Sequence, residues 1–317
     1  MLETLFTIEL PVGESYKLKR HRFEPNENQH SSGGKRISIV SGTHGDEVEG
    51  IYVITMLAEW LKKNTDKIRG TIDLYPSLNS LGIDSITRTV PFYQVDLNRI
   101  FPGKNRDTFP TQMANGIVNA IKGSDIAIDI HASNIFLREL PQVRIADTYA
   151  DKLVPLAKQL NMDFIWVHDA ITVLEATLAH SLNSLGTSTL VVEYGVGMRL
   201  TPSYGQQLLT GILNLMANEG ILAIDPLVVR EPCYSNQGIV HYLNAPGAGL
   251  FVPSIDHCQT VSAQQIIGYI HDPYGVNEPI PCLTPGCGVL FTLREYPIVY
   301  EGSLIARIFD DQTGVCA

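Results

Sequence analysis

The sequence predicts an α/β protein in which a mixed, mostly parallel sheet carries helices on both faces, followed by a small C-terminal all-β barrel-sandwich domain. Up to about residue 219, short apolar runs alternate with longer segments of helical periodicity, as in chains that alternate strands and helices. After Asp225-Pro226 the chain changes to short β-like runs separated by Gly and Pro. We therefore expect two domains, at residues 1–225 and 226–317.

The individual elements follow from the spacing of the apolar residues. The chain is expected to begin with a strand and a polar loop. Short apolar runs predict the strands, which are 36–41, 71–76, 125–131, 163–167 and 188–194. Apolar residues that recur every three or four positions predict the helices, which are 47–63, 110–122, 147–160, 170–182 and 203–218.

Composition and charge exclude several classes of partner. The chain has 317 residues, and 44% hydrophobic content is enough for substantial cores. A formal net charge of −10 argues against binding to nucleic acid. No apolar stretch is long enough to span a membrane, and the first residues lack the basic and apolar regions of a signal peptide. Five cysteines without C-x-x-C pairs are typical of reduced thiols, so we expect a cytoplasmic protein and leave homo-oligomerisation open.

The most informative motif is Gly42-Thr-His-Gly-Asp-Glu47, between the first predicted inner strand and the helix that follows it. The carboxyl end of a strand in an open α/β sheet is where ligands bind. His44 and Glu47 could hold one metal ion there, although such a pair alone also fits helix capping or solvated polar surface. Asp46 and Glu49 are interpreted as a helix N-cap and its N3 partner.

A second histidine ends another apolar strand. The run Asp125-Ile-Ala-Ile-Asp-Ile-His131 breaks into Ala132-Ser-Asn134, so His131 is expected at the same edge of the sheet as His44. Two histidines and one glutamate are a known ligand set of catalytic zinc, with the fourth position open to water. The sequence therefore predicts a site for one zinc ion.

Two further segments point to a family. Val95-Asp-Leu-Asn-Arg-Ile-Phe-Pro-Gly103 follows Arg88, and Thr189-Leu-Val-Val-Glu-Tyr-Gly195 ends another predicted strand. Together with G-T-H-G-D-E and the strand-terminal D-I-H, in this order, they resemble the succinylglutamate desuccinylase/aspartoacylase branch of the zinc carboxypeptidase-like hydrolases. The resemblance covers residues 36 to about 220 and implies a zinc-carboxypeptidase-like fold with the catalytic domain at 1–225.

The resemblance also implies roles for individual residues. The implied zinc ligands are His44, Glu47 and His131. Glu193 would be the general acid/base that activates zinc-bound water. The implied substrate contacts are Asn98 and Arg99, a clamp on a carboxylate, and Arg88, an oxyanion stabiliser.

Simple chemistry agrees with these roles. Glu193 follows an apolar run, so its carboxylate should be partly desolvated and suited to taking a proton from water. The planar fork of Arg99 matches a carboxylate better than a lysine would. Asp96 is a candidate partner for the outer nitrogen of a zinc histidine. Taken singly, Arg99 could instead be a structural ion-pair residue and Glu193 a buried, hydrogen-bonded glutamate.

These observations predict a zinc-dependent amidohydrolase that removes an N-acyl group from an amino acid or a similar small carboxylate. The alternatives are a metallocarboxypeptidase that acts on peptide C-termini and a non-catalytic metal-dependent binding protein. The arginine that precedes the catalytic glutamate in aspartoacylases has no counterpart in 180–189, so N-acetylaspartate is not the predicted substrate. Residues 226–317 are expected to border the active-site cleft; they resemble biotinyl carriers in shape but contain no lysine.

Overall fold

A computed structural model describes residues 1–26, 34–168, 175–234 and 238–312. Most predicted elements are present within a few residues of their expected bounds. The α-helices of these ranges are α1 (Glu49–Lys63), α2 (Ser80–Asp84), α3 (Phe109–Ile121), α4 (Ala150–Ala157), α5 (Leu178–Ser184) and α6 (Pro202–Asn218). The helix predicted at 170–182 falls partly outside the described residues.

The strands of the first 225 residues belong to one sheet. They are β1 (Leu2–Glu9), β2 (Ser15–Phe23), β3 (Arg36–Ser41), β4 (Thr71–Tyr75), β5 (Ile126–Ala132), β6 (Leu137–Ala146), β7 (Phe164–His168) and β8 (Ser188–Gly195). Their order is β1-β2-β4-β3-β5-β8-β6, with β7 paired to β6. Four pairs are parallel, namely β4–β3, β3–β5, β5–β8 and β6–β7. Three pairs are antiparallel, namely β1–β2, β2–β4 and β6–β8.

The predicted strands at 36–41, 71–76, 125–131, 163–167 and 188–194 are confirmed. The N-terminal segment was expected to hold one strand but holds both β1 and β2. The strand β6 was also not anticipated. Its sequence L-R-E-L-P-Q-V-R-I-A contains Pro141 and four charged or amide side chains, which hide its strand character from local pattern reading. Because β6 pairs antiparallel with β8, it turns the parallel centre into a mixed sheet.

Helices cover both faces of this sheet, as expected. Alternate residues of one strand point to opposite faces, so Ile37 and Ile39 pack into one apolar cluster while Val40 packs into the other. The first cluster includes the buried sides of α1 and α6, and the second includes those of α3 and α5. The predicted α/β class, with helices on both faces of a mixed sheet, is thereby confirmed. The sheet as a whole is not mostly parallel, because its antiparallel pairs outnumber its four parallel ones.

The C-terminal strands divide between two sheets. They are β9 (Ile239–Asn244), β10 (Gly249–Pro253), β11 (Thr260–Val261), β12 (Ile266–His271), β13 (Ile280–Leu283), β14 (Gly288–Arg294), β15 (Ile298–Val299) and β16 (Leu304–Asp310). β14, β16 and β9 extend the large sheet through the antiparallel pair β6–β14, whereas β13-β12-β10-β15 form a separate sheet. The domain boundary at residue 225 stays a prediction.

Two further findings concern membrane spans and cysteines. Within the described residues, no helix is both long enough and apolar enough to cross a membrane. Cys233 is disulfide-bonded, so the expectation of reduced thiols is wrong for this residue.

Three arginines surround one buried carboxylate near the start of the large sheet. Asp73 in β4 is fully buried and accepts hydrogen bonds from Arg22 at 2.7 Å, Arg36 at 2.8 Å and Arg20 at 3.4 Å. Burial alone would raise the pKa of Asp73, but the hydrogen bond from Arg22 and the charges of Arg36 and Arg20 together lower it. The cluster joins the neighbouring strands β2, β4 and β3.

We expect Asp73→Asn to lower the free energy of unfolding at neutral pH by about 3–5 kcal/mol, because three guanidinium groups lose their anion. The lowered pKa means that this stabilisation is present above the unfolded-state value of about 3.9 and disappears as pH falls through the folded-state value. Urea unfolding at neutral and acidic pH measures the difference, with the exposed Asp66→Asn as control. A loss of unfolding free energy that is as large at acidic pH as at neutral pH would contradict the ion-pair account.

Candidate active site

Three parallel strands bring the predicted site residues to one edge of the sheet. His44 follows the end of β3, His131 lies near the end of β5, and Glu193 lies near the end of β8. His131 and Glu193 are direct cross-strand neighbours, so their side chains share a face. The loop after β3 packs tightly there, because a Cβ atom on Gly45 would lie 2.0 Å from the backbone of Gly82.

His44, Glu47 and His131 form a compact, buried cluster. Their candidate ligand atoms all lie within 4.8 Å of one another. Nδ1 of His44 is 2.6 Å from one carboxylate oxygen of Glu47, and Nδ1 of His131 is 2.8 Å from the other. Two imidazole nitrogens and a carboxylate that converge in this way are a donor set that fits a zinc ion.

The outer nitrogen of each imidazole faces another carboxylate. Nε2 of His44 lies 3.0 Å from Asp96, as expected, and Nε2 of His131 lies 3.1 Å from Asp129. Such partners fix the orientation of ligating histidines and leave Nδ1 for the metal. Asp129 was not among the predicted residues, although its position two residues before His131 on a strand places both side chains on one face.

Charges inside the cluster shift its titration strongly. Burial would raise the pKa of Glu47, but the neighbouring His44 and His131 lower it far below its usual range. Burial would lower the pKa of His131, but Asp129 and Glu47 raise it well above the usual value. Both shifts favour protonated imidazoles beside an ionised Glu47, so a cation that binds there competes with protons.

Glu193 lies beside this cluster and is largely shielded from solvent. Its side chain is 15% exposed, and one carboxylate oxygen lies 2.6 Å from Nη1 of Arg144 on β6. Burial raises the pKa of Glu193, whereas the charge of Arg144 opposes this rise. A carboxylate with a raised pKa has more affinity for a proton, as proton transfer requires.

The other predicted residues are at the same cavity. Arg88 donates a hydrogen bond to Glu47 at 2.8 Å and lies 3.5 Å from Asp96. Asn98 accepts a hydrogen bond from the backbone N–H of Leu178 at 2.9 Å through its side-chain oxygen, which leaves its amide group as a donor. Arg99 is exposed, and its nearest recorded acceptor is the backbone carbonyl of Asn98 at 2.8 Å.

The predicted capping box at Asp46 and Glu49 is wrong. Helix α1 begins at Glu49 after an N-cap at Val48 that makes no side-chain capping hydrogen bond. Glu47 precedes the helix and reaches toward both histidines, so the chain enters the helix two residues later than expected. Glu49 is fully buried rather than on the helix surface.

A cavity of about 770 Å³ opens above these residues, which is within the usual size range for small-ligand sites. Several residues of its wall were not predicted from the sequence, namely Glu139, Arg144, Trp166, Tyr242 and Arg307. They come from strands far apart in the sequence and carry no shared motif. Segment 180–189 contains no arginine, but Arg144 and Arg307 place positive charge in the cavity.

The chain is similar in sequence to known proteins and to one family profile. The sequence profile of the Succinylglutamate desuccinylase/Aspartoacylase catalytic domain matches residues 33–218, more than half of the chain. The N-alpha-acetyl-L-2,4-diaminobutyric acid deacetylase of Halomonas elongata is 24% identical over 87% of this chain and 78% of its own length. The aspartoacylase of Mus musculus is 24% identical over 57% of this chain and 59% of its own length.

Solved structures of similar fold cover nearly the whole chain. A succinylglutamatedesuccinylase/aspartoacylase from Rhodobacter sphaeroides has a TM-score of 0.82 at 22% identity, over 98% of this chain and 96% of that one. The ectoine utilization protein EutE (DoeB) from Ruegeria pomeroyi, in a product-bound structure, has a TM-score of 0.82 at 16% identity, over 97% and 95%. At these identities the structures establish the fold, and the profile establishes the family. The chain belongs to the succinylglutamate desuccinylase/aspartoacylase family.

Proposed function

We propose that this protein is a zinc-dependent amidohydrolase that removes an N-acyl group from an amino acid or a similar small carboxylate. The observation that carries the proposal is the buried His44–Glu47–His131 cluster with Glu193 on the neighbouring strand. The related deacetylase from Halomonas elongata and the murine aspartoacylase support amide-bond hydrolysis as the reaction class.

The cluster would hold the zinc ion through Nδ1 of His44, the carboxylate of Glu47 and Nδ1 of His131. When bound, zinc polarises a substrate carbonyl and lowers the pKa of a water molecule toward about 7. Asp96 and Asp129 would hold the two imidazole rings in the ligating orientation through their Nε2 atoms.

Glu193 would carry the proton through the reaction. Its carboxylate accepts a proton from the attacking water and returns it to the nitrogen of the leaving amine. The guanidinium of Arg88, beside Glu47, would stabilise the negative charge that develops on the carbonyl oxygen. Both steps take place in a largely buried site, where electrostatic interactions are stronger than in water.

Asn98 and Arg99 would bind the carboxylate of the substrate. Both residues line the cavity, and Arg99 retains guanidinium N–H groups that no recorded acceptor in the described chain occupies. A planar guanidinium can bind a carboxylate through two parallel hydrogen bonds. The C-terminal strands would border the cleft through Tyr242 and Arg307, which lie in its wall.

A substrate panel tests the proposed activity. The zinc-loaded protein is incubated with N-acyl amino acids and with blocked and unblocked peptides, and mass spectrometry identifies the products. We expect release of the free amino acid and the acyl carboxylate. Release of C-terminal residues from peptides would identify a carboxypeptidase instead, and zinc binding without turnover on any substrate would identify a binding protein.

Removal of a ligand tests the metal site. We expect His131→Ala to lose the bound metal, because Nδ1 of His131 is one of only three protein donors in the proposed site. Elemental analysis after dialysis measures the metal content per chain. His271→Ala, on β12 outside the cavity, is the control and should keep it. Full zinc occupancy in His131→Ala would rule out this ligand set.

Glu193→Gln keeps the shape of the side chain but removes its proton-accepting oxygen. We expect kcat to fall by roughly 10²–10⁴, the usual contribution of general acid-base catalysis, with zinc retained. Steady-state kinetics on the best substrate of the panel measures this loss, and elemental analysis checks the metal. Near-normal turnover in this variant would exclude Glu193 as the base.

Arg99→Lys tests the carboxylate clamp. A lysine keeps the positive charge but cannot form two parallel hydrogen bonds, so we expect KM for a carboxylate substrate to rise while kcat changes little. The same substrate with its carboxylate converted to an amide is the internal control, because its KM should not respond to the substitution. An unchanged KM for the carboxylate would argue against the clamp.

A further inference from the structure

We propose that Arg144 is a positioning residue for Glu193, and that the C-terminal strands hold Arg144 in place through the buried carboxylate of Glu139. The inference rests on the proposed role of Glu193 as the base. It assigns to the C-terminal strands a part in catalysis that goes beyond bordering the cleft.

Arg144 contacts both Glu193, the proposed base, and Glu139. Its Nη1 lies 2.6 Å from Oε2 of Glu193, and its Nη2 lies 3.3 Å from Oε1 of Glu139. The guanidinium is also 5.3 Å from the centre of the Trp166 ring, within the range of a cation–π contact. The contact between Nη2 and Glu139 is an ion pair without hydrogen-bond geometry, so charge and the Trp166 ring, rather than a hydrogen bond, restrict the guanidinium. The oxygen of Glu193 that Nη1 contacts is thereby restrained as well.

Several hydrogen-bond donors fix the carboxylate of Glu139. It is 1% exposed, and it accepts hydrogen bonds from Gln142 at 2.9 Å, Thr292 at 2.5 Å and Arg307 at 2.9 Å. A buried carboxylate requires such compensation, and each donor narrows its position. Thr292 and Arg307 belong to the C-terminal strands β14 and β16.

The register of the sheet explains why these residues meet. Glu139 on β6 is the direct partner of Thr292 on β14, Thr292 is the partner of Arg307 on β16, and Arg307 is the partner of Tyr242 on β9. Directly paired residues share one face of a sheet. One row of side chains therefore runs from the C-terminal strands to Glu139, and from there through Arg144 to the base.

Two other interpretations of Arg144 are less consistent with these contacts. If the ion pairs only stabilised the fold, contact with Glu193 would be unnecessary, because backbone hydrogen bonds already join β6 to β8. Buried ion pairs are also weak evidence of net stabilisation. If Arg144 bound the substrate, either Nη1 would have to leave the carboxylate of Glu193 at 2.6 Å, or the buried Nη2 would have to move away from Glu139.

The test compares Arg144→Ala, Arg144→Lys, Glu139→Gln and the double variant Arg144→Ala/Glu139→Gln in the full-length, zinc-loaded enzyme. We expect Arg144→Ala to lower kcat about 10²-fold with little change in KM, since a small misplacement of a catalytic group costs about that much. Glu139→Gln should lower kcat roughly tenfold. Because Glu139 acts through Arg144, the double variant should be no slower than Arg144→Ala.

Three comparisons separate positioning from general damage. Guanidinium ion, at concentrations far below those that unfold the protein, should partly restore kcat of Arg144→Ala, whereas sodium at equal ionic strength should not. Arg144→Lys should fall between the wild type and Arg144→Ala. Arg138→Ala, on the same strand but paired with Glu295 outside the cavity, should leave kcat unchanged.

The outcomes are distinguishable from failure of the proposed function. If the wild type hydrolyses substrate and Glu193→Gln does not, unchanged kcat in Arg144→Ala overturns the inference. A raised KM with normal kcat would assign Arg144 to substrate binding, and losses that multiply in the double variant would show that Glu139 does not act through Arg144. An inactive wild type, or an active Glu193→Gln, refutes the proposed base itself.

Discussion

Glu47 is buried between two imidazole rings and a guanidinium group, and the rest of the site depends on how the chain compensates that carboxylate. An isolated buried charge is costly, so the carboxylate requires His44, His131 and Arg88 around it. The same convergence creates the donor set for a cation. Asp96 hydrogen-bonds Nε2 of His44, and Asp129 lies within ion-pair distance of Nε2 of His131, so both contacts favour the orientation in which Nδ1 faces inward.

The large sheet is the second constraint on the site, because it includes strands from both the N-terminal and the C-terminal parts of the chain. Through the antiparallel pairs β6–β14 and β14–β16, one face of the sheet is continuous from the His–Glu–His cluster to the C-terminal strands. Arg307 and Tyr242 consequently lie in the wall of the same cavity as Glu193. Substitutions in these strands are therefore expected to affect both the shape and the charge of the site.

The positions of the candidate site residues that belong to local motifs could be predicted from the sequence. His44, His131 and Glu193 each lie at or just beyond the end of an apolar run, and strand ends converge in a parallel sheet. Arg144 and Glu139 could not be found in this way, because Pro141 obscures their strand and their partners come from antiparallel pairings distant in sequence. The capping-box prediction failed because the loop before α1 directs Glu47 toward the two histidines, and the helix then begins without a side-chain cap.

Anomalous X-ray diffraction from zinc-soaked crystals, at the zinc absorption edge, tests the central claim most directly. The account predicts one strong peak per chain, about 2.0–2.2 Å from Nδ1 of His44, a carboxylate oxygen of Glu47 and Nδ1 of His131. The outer nitrogens should still face Asp96 and Asp129. A peak bound through either Nε2 atom, or no peak in this cluster from protein that contains zinc, would contradict it.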